Sequence, residues 1–429
     1  MNAKSESPRI YNLFPRLVGS MDKWVEHFKR IKNLGFNWVY INPIHYPGFS
    51  GSLYSIKDYY SINPMFLNPE SSKSQIDQLK DMLEDCHKNG LLIMMDLVIN
   101  HTAKDHPFTK EHENWYKRKE NGEIKSPGAW DNGVWVEWGD LAEIDNETSS
   151  DRDNLWNYWK EVIEFYIDCG FDGFRADAAY AVPMELWRFL IPEAKRKNNV
   201  LFFAESLGCP IESTISLVES GFDFIFNSSK WWNYSDGWLL EQYSRTYKKV
   251  PSISFPESHD TLRLSVESNG RFPVIKKRTI FTAFFSSGWM IPIGFEYGFK
   301  KKLDVVNTIP EDWEEINYDI TELIKNINGV RQKYDILNME GQISEIYHSN
   351  RENVLILKKE DDRSSKMLLL ILNKSDDRES ECILPENFLS NKLSVIDCFD
   401  SDMKSIDILP GRSFVLKESE VFVILLSKG

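Results

Sequence analysis

Phe171-Asp172-Gly173-Phe174-Arg175-Ala176-Asp177 sets an arginine and a carboxylate two residues apart at the end of a short apolar run. Side chains on a strand alternate faces, so Arg175 and Asp177 point the same way. A cation beside a carboxylate favours the ionised form and lowers its pKa, so the pair predicts an ionised, oriented Asp177. Alone, such a pair reads first as a structural ion pair. Other runs change that reading. Val200-Leu201-Phe202-Phe203-Ala204-Glu205 ends in an acid, and Ile253-Ser254-Phe255-Pro256-Glu257-Ser258-His259-Asp260 ends in another. Upstream, the apolar run that starts at Leu91 carries Asp96, Asn100 and His101. Four strands separated by helical stretches thus finish in ionisable residues. A parallel barrel presents its chemistry in this way, at the C-terminal ends of different strands.

Working outward, short apolar runs alternate with amphipathic helices. Asn37 to Ile44 reads as a first strand, preceded by a helix from about Met21 to Leu34 that ends at Gly35. Leu53 to Ile62 reads as a second, Leu91 to Asn100 as a third and Asp172 to Ala178 as a fourth. Val200 to Glu205, Phe222 to Phe226, Ile253 to Phe255 and Trp289 to Gly294 supply the fifth to eighth. This alternation predicts an α/β fold, a (β/α)8 TIM barrel over 1–101 and 151–342. About fifty residues separate His101 from the helix at Asp151, far more than a barrel connection needs. This insert, 102–150, carries Trp115, Tyr116, Trp130, Trp135 and Trp138. From Ile343 onward, alternating apolar runs between polar turns predict a C-terminal antiparallel β-sandwich over 343–429.

The net charge of -14 over 429 residues argues against a nucleic-acid partner, because phosphate binding needs clustered cations. Five cysteines without metal-ligand spacing favour free thiols in a reducing compartment. Met1 to Arg9 lacks the apolar core of a signal peptide, and no run reaches the length of a membrane span. A cytoplasmic protein with no membrane partner is the expectation. The sequence does not set its oligomeric state.

The four ordered motifs resemble those of the α-amylase superfamily of retaining α-glycosidases and transglycosidases (glycoside hydrolase family 13, clan H), from about residue 10 to the C-terminus. The resemblance implies that Asp177 is the nucleophile, held ionised by Arg175, and that Glu205 is the acid/base. The apolar setting of Phe202, Phe203 and Ala204 would raise the pKa of Glu205. By the same resemblance Asp260 grips sugar hydroxyls, His101 and His259 donate to the sugar, and Asp96 ties its motif to Arg175. Tyr54 matches the tyrosine that stacks under the sugar ring, with a core tyrosine of the second strand as the alternative. The insert takes the place of domain B, a roof over the cleft. Its stretch from Asp105 to Tyr116 is similar to maltosyltransferases that use maltose 1-phosphate.

Two departures stand out. Ala178-Ala179-Tyr180-Ala181 replaces a Lys-His pair that reaches the leaving-side sugars, so the acceptor side is built differently. Ser258 stands where many relatives have Asn. Asn100 ligates the ion in calcium-bearing relatives, but Asp131, Asp140 and Asp145 are well spread, and Ca²⁺ prefers six to eight oxygens. No cofactor is therefore expected, with Ca²⁺ left open as the less favoured alternative. The function implied is hydrolysis of α-1,4-linked glucans or maltooligosaccharides through a covalent glycosyl-enzyme. Transfer to a sugar acceptor uses the same triad and stays open. A non-catalytic binding subunit is a third reading, set against the retention of all three carboxylates with Arg175 and His259.

Overall fold

A computed structural model describes residues 6–131, 134–383, 393–407 and 413–428, with backbone alone at 129–131 and 428. Eight parallel strands close a barrel: β1 (Arg9–Leu13), β2 (Trp38–Ile41), β3 (Leu92–Leu97), β4 (Gly173–Ala176), β5 (Leu201–Glu205), β6 (Phe224–Phe226), β7 (Ser252–Ser254) and β8 (Gly288–Pro292). Each strand pairs with its sequence neighbours, and β8 closes on β1. The strands are buried on both faces because both are covered, and most of their residues are apolar. Trp38, Met94, Phe203 and Ile253 fill the interior. Val39, Met95, Phe174 and Phe202 pack outward in the main hydrophobic core. Gly173 is needed for this packing: a Cβ there would meet the Leu201 carbonyl at 2.7 Å and the Trp38 ring at 3.3 Å.

The count of eight is correct, but two of the expected assignments within it are not. Arg9–Leu13 is the true first strand, although its sequence looks polar. Its polar side chains are buried and paired: Arg9 Nε donates to the Gly35 carbonyl (2.8 Å), and Asn12 Nδ2 to Asn42 Oδ1 (2.9 Å). Leu53 to Ile62, expected as the second barrel strand, is not in the barrel. Ile56–Ile62 pairs antiparallel with His45–Pro47 in a hairpin of its own. Only Ile56, Tyr59 and Ile62 are fully buried along it, with half-buried residues between them, whereas barrel strands such as Arg9–Leu13 and Trp38–Ile41 are buried at every position.

In the insert, His101–Ala103 pairs with Leu141–Glu143, and Gly128–Asp131 forms a hairpin with Val134–Glu137. Trp115 and Tyr116 are buried, and Phe108 and Trp115 pack edge-on against each other, with Tyr158 of the following helix Arg152–Cys169 beside both. Beyond the barrel, Gln342–Glu345, Val354–Glu360, Lys366–Asn373, Val421–Lys428 and Leu393–Phe399 form an antiparallel sheet in that order. Ser380–Ile383 and Ser413–Leu416 make a second, smaller sheet. Among the described residues no helix is long and apolar enough to cross a membrane, and all five cysteines are free.

Candidate active site

Strand register builds the site. Arg175 on β4 lies opposite Asp96 on β3 and Phe203 on β5, so the Arg175 and Asp96 side chains enter the barrel mouth side by side. Arg175 Nη1 donates to both oxygens of Asp96, at 2.7 and 2.9 Å. Tyr40 and Tyr54 donate their hydroxyls to Asp96 Oδ2, at 2.5 and 2.6 Å. Asp96 is thereby buried and fully engaged in protein contacts. It acts as the architectural tie the sequence implied.

The same guanidinium serves two more carboxylates. Nη1 lies 2.9 Å from Asp177 Oδ1, and Nη2 lies 2.9 Å from Glu205 Oε2. Asp177 follows the last residue of β4, its N–H tied to the Leu97 carbonyl, and Glu205 is the last residue of β5. Glu205 Oε2 also accepts the Ala178 N–H at 2.7 Å, which leaves Oε1 outside these two contacts. Ala178 reaches it from a left-handed conformation, φ 41°. For a residue with a Cβ this stores roughly 1–3 kcal/mol of strain.

One cation among three carboxylates has a consequence for protonation. Burial pushes Asp177 well above the ordinary carboxylate range, against the pull of Arg175, and Glu205 adds to the rise. Burial also pushes Glu205 up, with Arg175 again opposing. Arg175, expected to hold Asp177 ionised, does pull toward the ionised form, but against burial and a second acid. Arg175 is shared, the two acids titrate as a pair, and the pair retains a proton that the cavity cannot shed cheaply.

On the opposite wall, the loop after β7 carries His259 and Asp260. Tyr54 gives its own proton to Asp96, so in its 2.7 Å contact with His259 it can only accept, and Nε2 of His259 carries a hydrogen. The same Nε2 is 3.0 Å from Asp260 Oδ2. Burial would raise the Asp260 carboxyl, but His259, with Arg175 and Lys302 behind it, outweighs this and brings it down to about 2. Asp260 keeps 54% of its side chain exposed toward the opening. Glu257 and Arg263, both buried, pair at 2.8 Å, and Glu257 also accepts the Leu264 N–H, pinning this loop from behind.

Tyr54 lies in the turn before Ile56–Ile62, half-buried, with its ring parallel to His259 at 5.9 Å. That segment is not a barrel strand, so Tyr54 is not a tyrosine of the second strand, and its ring packs against the main core from the turn. His101 is buried with no formed hydrogen bond at either ring nitrogen, although the Tyr54 backbone favours its protonated form. Burial takes it down to about 4, so near pH 7 the ring is neutral and offers one donor and one acceptor. Hydrogen bonds and ion pairs thus join Tyr54, Asp96, Arg175, Asp177, Glu205, His259 and Asp260 into one network, with His101 beside Tyr54. Tyr40, Asn42 and the Ala178 N–H were not read as site groups. Alternation from Trp38 would have placed Tyr40 and Asn42 on one face, and nothing local marks the amide. The exposed aromatics of the insert are Trp135 and Trp138. The Trp130 side chain lies outside the described residues.

Two of the spread acids of the insert have partners within the protein. Asp140 accepts from Ser50 Oγ (2.6 Å) and Asp145 from the Thr148 amide and hydroxyl (2.8 and 2.7 Å). Among the described residues no three His, Cys, Asp or Glu side chains are grouped so as to hold a metal ion.

A family model of the glucanotransferase domain of glycogen debranching enzyme matches residues 3–123. An α-1,4-glucan:maltose-1-phosphate maltosyltransferase of Burkholderia pseudomallei is 23% identical over 364 residues, covering 82% of this chain and 31% of the relative. The enzyme of that name from Picrophilus torridus is 24% identical over 360 residues, covering 76% of this chain and 55% of the relative. This chain thus spans about a third to a half of the length of these relatives. An α-amylase from Lactobacillus plantarum superposes with a TM-score of 0.77 at 18% identity, covering 99% of this chain and 100% of the other, a likeness of fold. These comparisons support a place for the chain in the α-amylase superfamily, with a resemblance to its maltosyltransferases.

Proposed function

We propose that this protein cleaves α-linked glucans or maltooligosaccharides with retention of configuration, through a covalent glycosyl-enzyme on Asp177. The observation that carries the reading is the grip of one guanidinium on Asp177 and Glu205 through its two neighbouring nitrogens, both at 2.9 Å. One guanidinium bridging both acids holds them close to each other, which favours the retaining arrangement, at about 5–5.5 Å, over an inverting pair spread to about 6.5–9.5 Å for a water. Asp177, held through Oδ1, attacks the anomeric carbon. The retained proton sits on Glu205 Oε1, because Oε2 already accepts from Arg175 and Ala178, and passes to the leaving oxygen. Glu205, now ionised, takes a proton from the incoming hydroxyl, which displaces Asp177. Asp260 with His259, and His101, bind sugar hydroxyls, and Tyr54 backs the ring.

Transfer to a sugar in place of water is the second reading. It is favoured by the Ala178-Ala179-Tyr180-Ala181 segment on the acceptor side and by the maltosyltransferase relatives. Incubation with a maltooligosaccharide ladder, followed by chromatography, tests both. Shorter sugars alone mean hydrolysis, longer ones mean transfer, and an unchanged ladder overturns the proposal. No cofactor is assigned. A chelator is expected to leave turnover and Tm unchanged, whereas loss of a tightly bound ion would lower Tm by mass action.

A further inference from the structure

A ladder of side-chain hydrogen bonds runs from the first barrel strand to Tyr54, and the backbone sets its direction. Asn12 on β1 lies in register with Tyr40 on β2, and its Nδ2 donates to the Tyr40 carbonyl at 3.1 Å. A carbonyl only accepts, so the Asn12 amide faces one way. The same Nδ2 donates to Asn42 Oδ1 at 2.9 Å, which turns Asn42 Nδ2 toward two tyrosines. That nitrogen donates to the Tyr54 hydroxyl at 2.9 Å and to the Tyr40 hydroxyl at 3.3 Å. Both asparagines are fully buried, where a reversed amide would leave polar atoms unmet.

The direction carries on past Tyr54. Its oxygen receives Asn42 Nδ2, its own hydrogen goes to Asp96 Oδ2 at 2.6 Å, and it accepts again from His259 Nε2 at 2.7 Å. His259 Nδ1 is buried with no hydrogen-bond partner, so Tyr54 and Asp260 fix which ring nitrogen donates. A reversed Asn42 would present an oxygen to both tyrosines and compete with Asp96 for their hydrogens. Asp96 shares Arg175 with Asp177 and Glu205, so the whole network would feel the loss.

We propose that Asn42, aligned by Asn12, is a positioning residue for the reaction. Fully buried, it acts through Tyr54 and not on the sugar. It holds Tyr54 as an acceptor toward His259, which keeps the His259 hydrogen on Nε2, beside Asp260, where a sugar hydroxyl is gripped. The inference rests on the reading of Asp177 and Glu205 as a glycosidic pair.

Asn42→Asp keeps the shape and exchanges the donor for a titratable oxygen. Burial and Asp96 raise the introduced carboxyl above its ordinary range and Arg175 opposes, while Tyr40, Tyr54 and His259 are the other ionisable groups of this ladder. Protonated, it donates to Tyr54 as the amide does; ionised, it only accepts. Its kcat for maltoheptaose should therefore approach wild type at about pH 5 and fall about tenfold below it at about pH 8, with KM within about twofold. A profile parallel to wild type, or a change in KM alone, overturns the inference. Asn12→Ala decides the matter if Asn42→Asp melts early, because it frees the Asn42 amide to turn without touching Tyr54. It should lower kcat several-fold at constant KM, and an unchanged kcat overturns the inference. Nitrogen NMR of ring-labelled histidine reads the ladder without turnover. The His259 signal, assigned by its loss in His259→Asn, should show hydrogen on Nε2, and a bare Nε2 overturns the inference. Each of these results leaves the glycosidic reading standing, whereas failure of the unmodified protein to cleave maltoheptaose overturns both.

Discussion

Arg175 shows how one side chain can both organise and disfavour its neighbours. It orders Asp96, Asp177 and Glu205, yet a single positive charge cannot pay for three buried negative ones. The pKa of Asp177 and Glu205 is raised by burial, so between the ordinary carboxylate range and the raised value the folded state binds more protons than the unfolded one. Stability then falls as pH rises through that window. Asp177→Asn should therefore lower turnover by at least about 10²–10⁴-fold and yet raise Tm at pH 7. The gain should shrink toward pH 4, where the wild-type pair is itself protonated. Thermal melts of both proteins from pH 4 to 8 check this. A Tm difference independent of pH would remove the shared-proton account. The types and places of the three acids were legible in the sequence because Asp177 and Glu205 end apolar runs and Asp96 lies within one. Their protonation was not, since it depends on which carboxylates share the guanidinium across strands.

Among the elements, the insert divides its aromatics by burial. Trp115 lies in a ring cluster and donates Nε1–H to Asp151 at 2.8 Å. Trp135 and Trp138 remain 47% and 41% exposed on and beside the Val134–Glu137 strand. Trp115→Ala is expected to cost about 3–5 kcal/mol of stability, as for other buried large-to-small changes. Trp135→Ala and Trp138→Ala should leave stability within about 0.5 kcal/mol of wild type. At least one of them should raise KM for oligosaccharides several-fold. Denaturant melts and steady-state kinetics on the three variants separate the roles, and an unchanged KM in both exposed variants would detach the hairpin from substrate. Sequence grouped these tryptophans together because composition carries no record of what each ring is packed against.

At the scale of the whole molecule, barrel and C-terminal sheet share a core. Along Lys366–Asn373, Leu368, Leu370 and Leu372 join the barrel's cluster, and Met367, Leu369 and Ile371 fill the sandwich. Lys359, on the neighbouring strand, is buried with its Nζ on the Phe285 carbonyl at 3.2 Å, and burial takes it from 10.5 down to about 8. The unfolded chain binds this proton more tightly, so the destabilisation is complete below pH 8 and fades as pH rises toward 10.5. Lys359→Met should gain about 3 kcal/mol at pH 7. The gain should close at alkaline pH in parallel denaturation curves, and a variant no more stable at pH 7 would contradict the burial cost. Sequence by itself determined the barrel class, the sandwich, and the acids at the strand ends. These follow from local periodicity, which repeats every few residues and needs no partner to be read. Tertiary structure alone decided that Arg9–Leu13 and not Leu53–Ile62 closes the barrel, and that Arg175 serves three acids. It also decided that Asn12 and Asn42 meet and orient Tyr54. Barrel closure, register and burial depend on residues far apart in the chain, and no local pattern encodes which of them will meet.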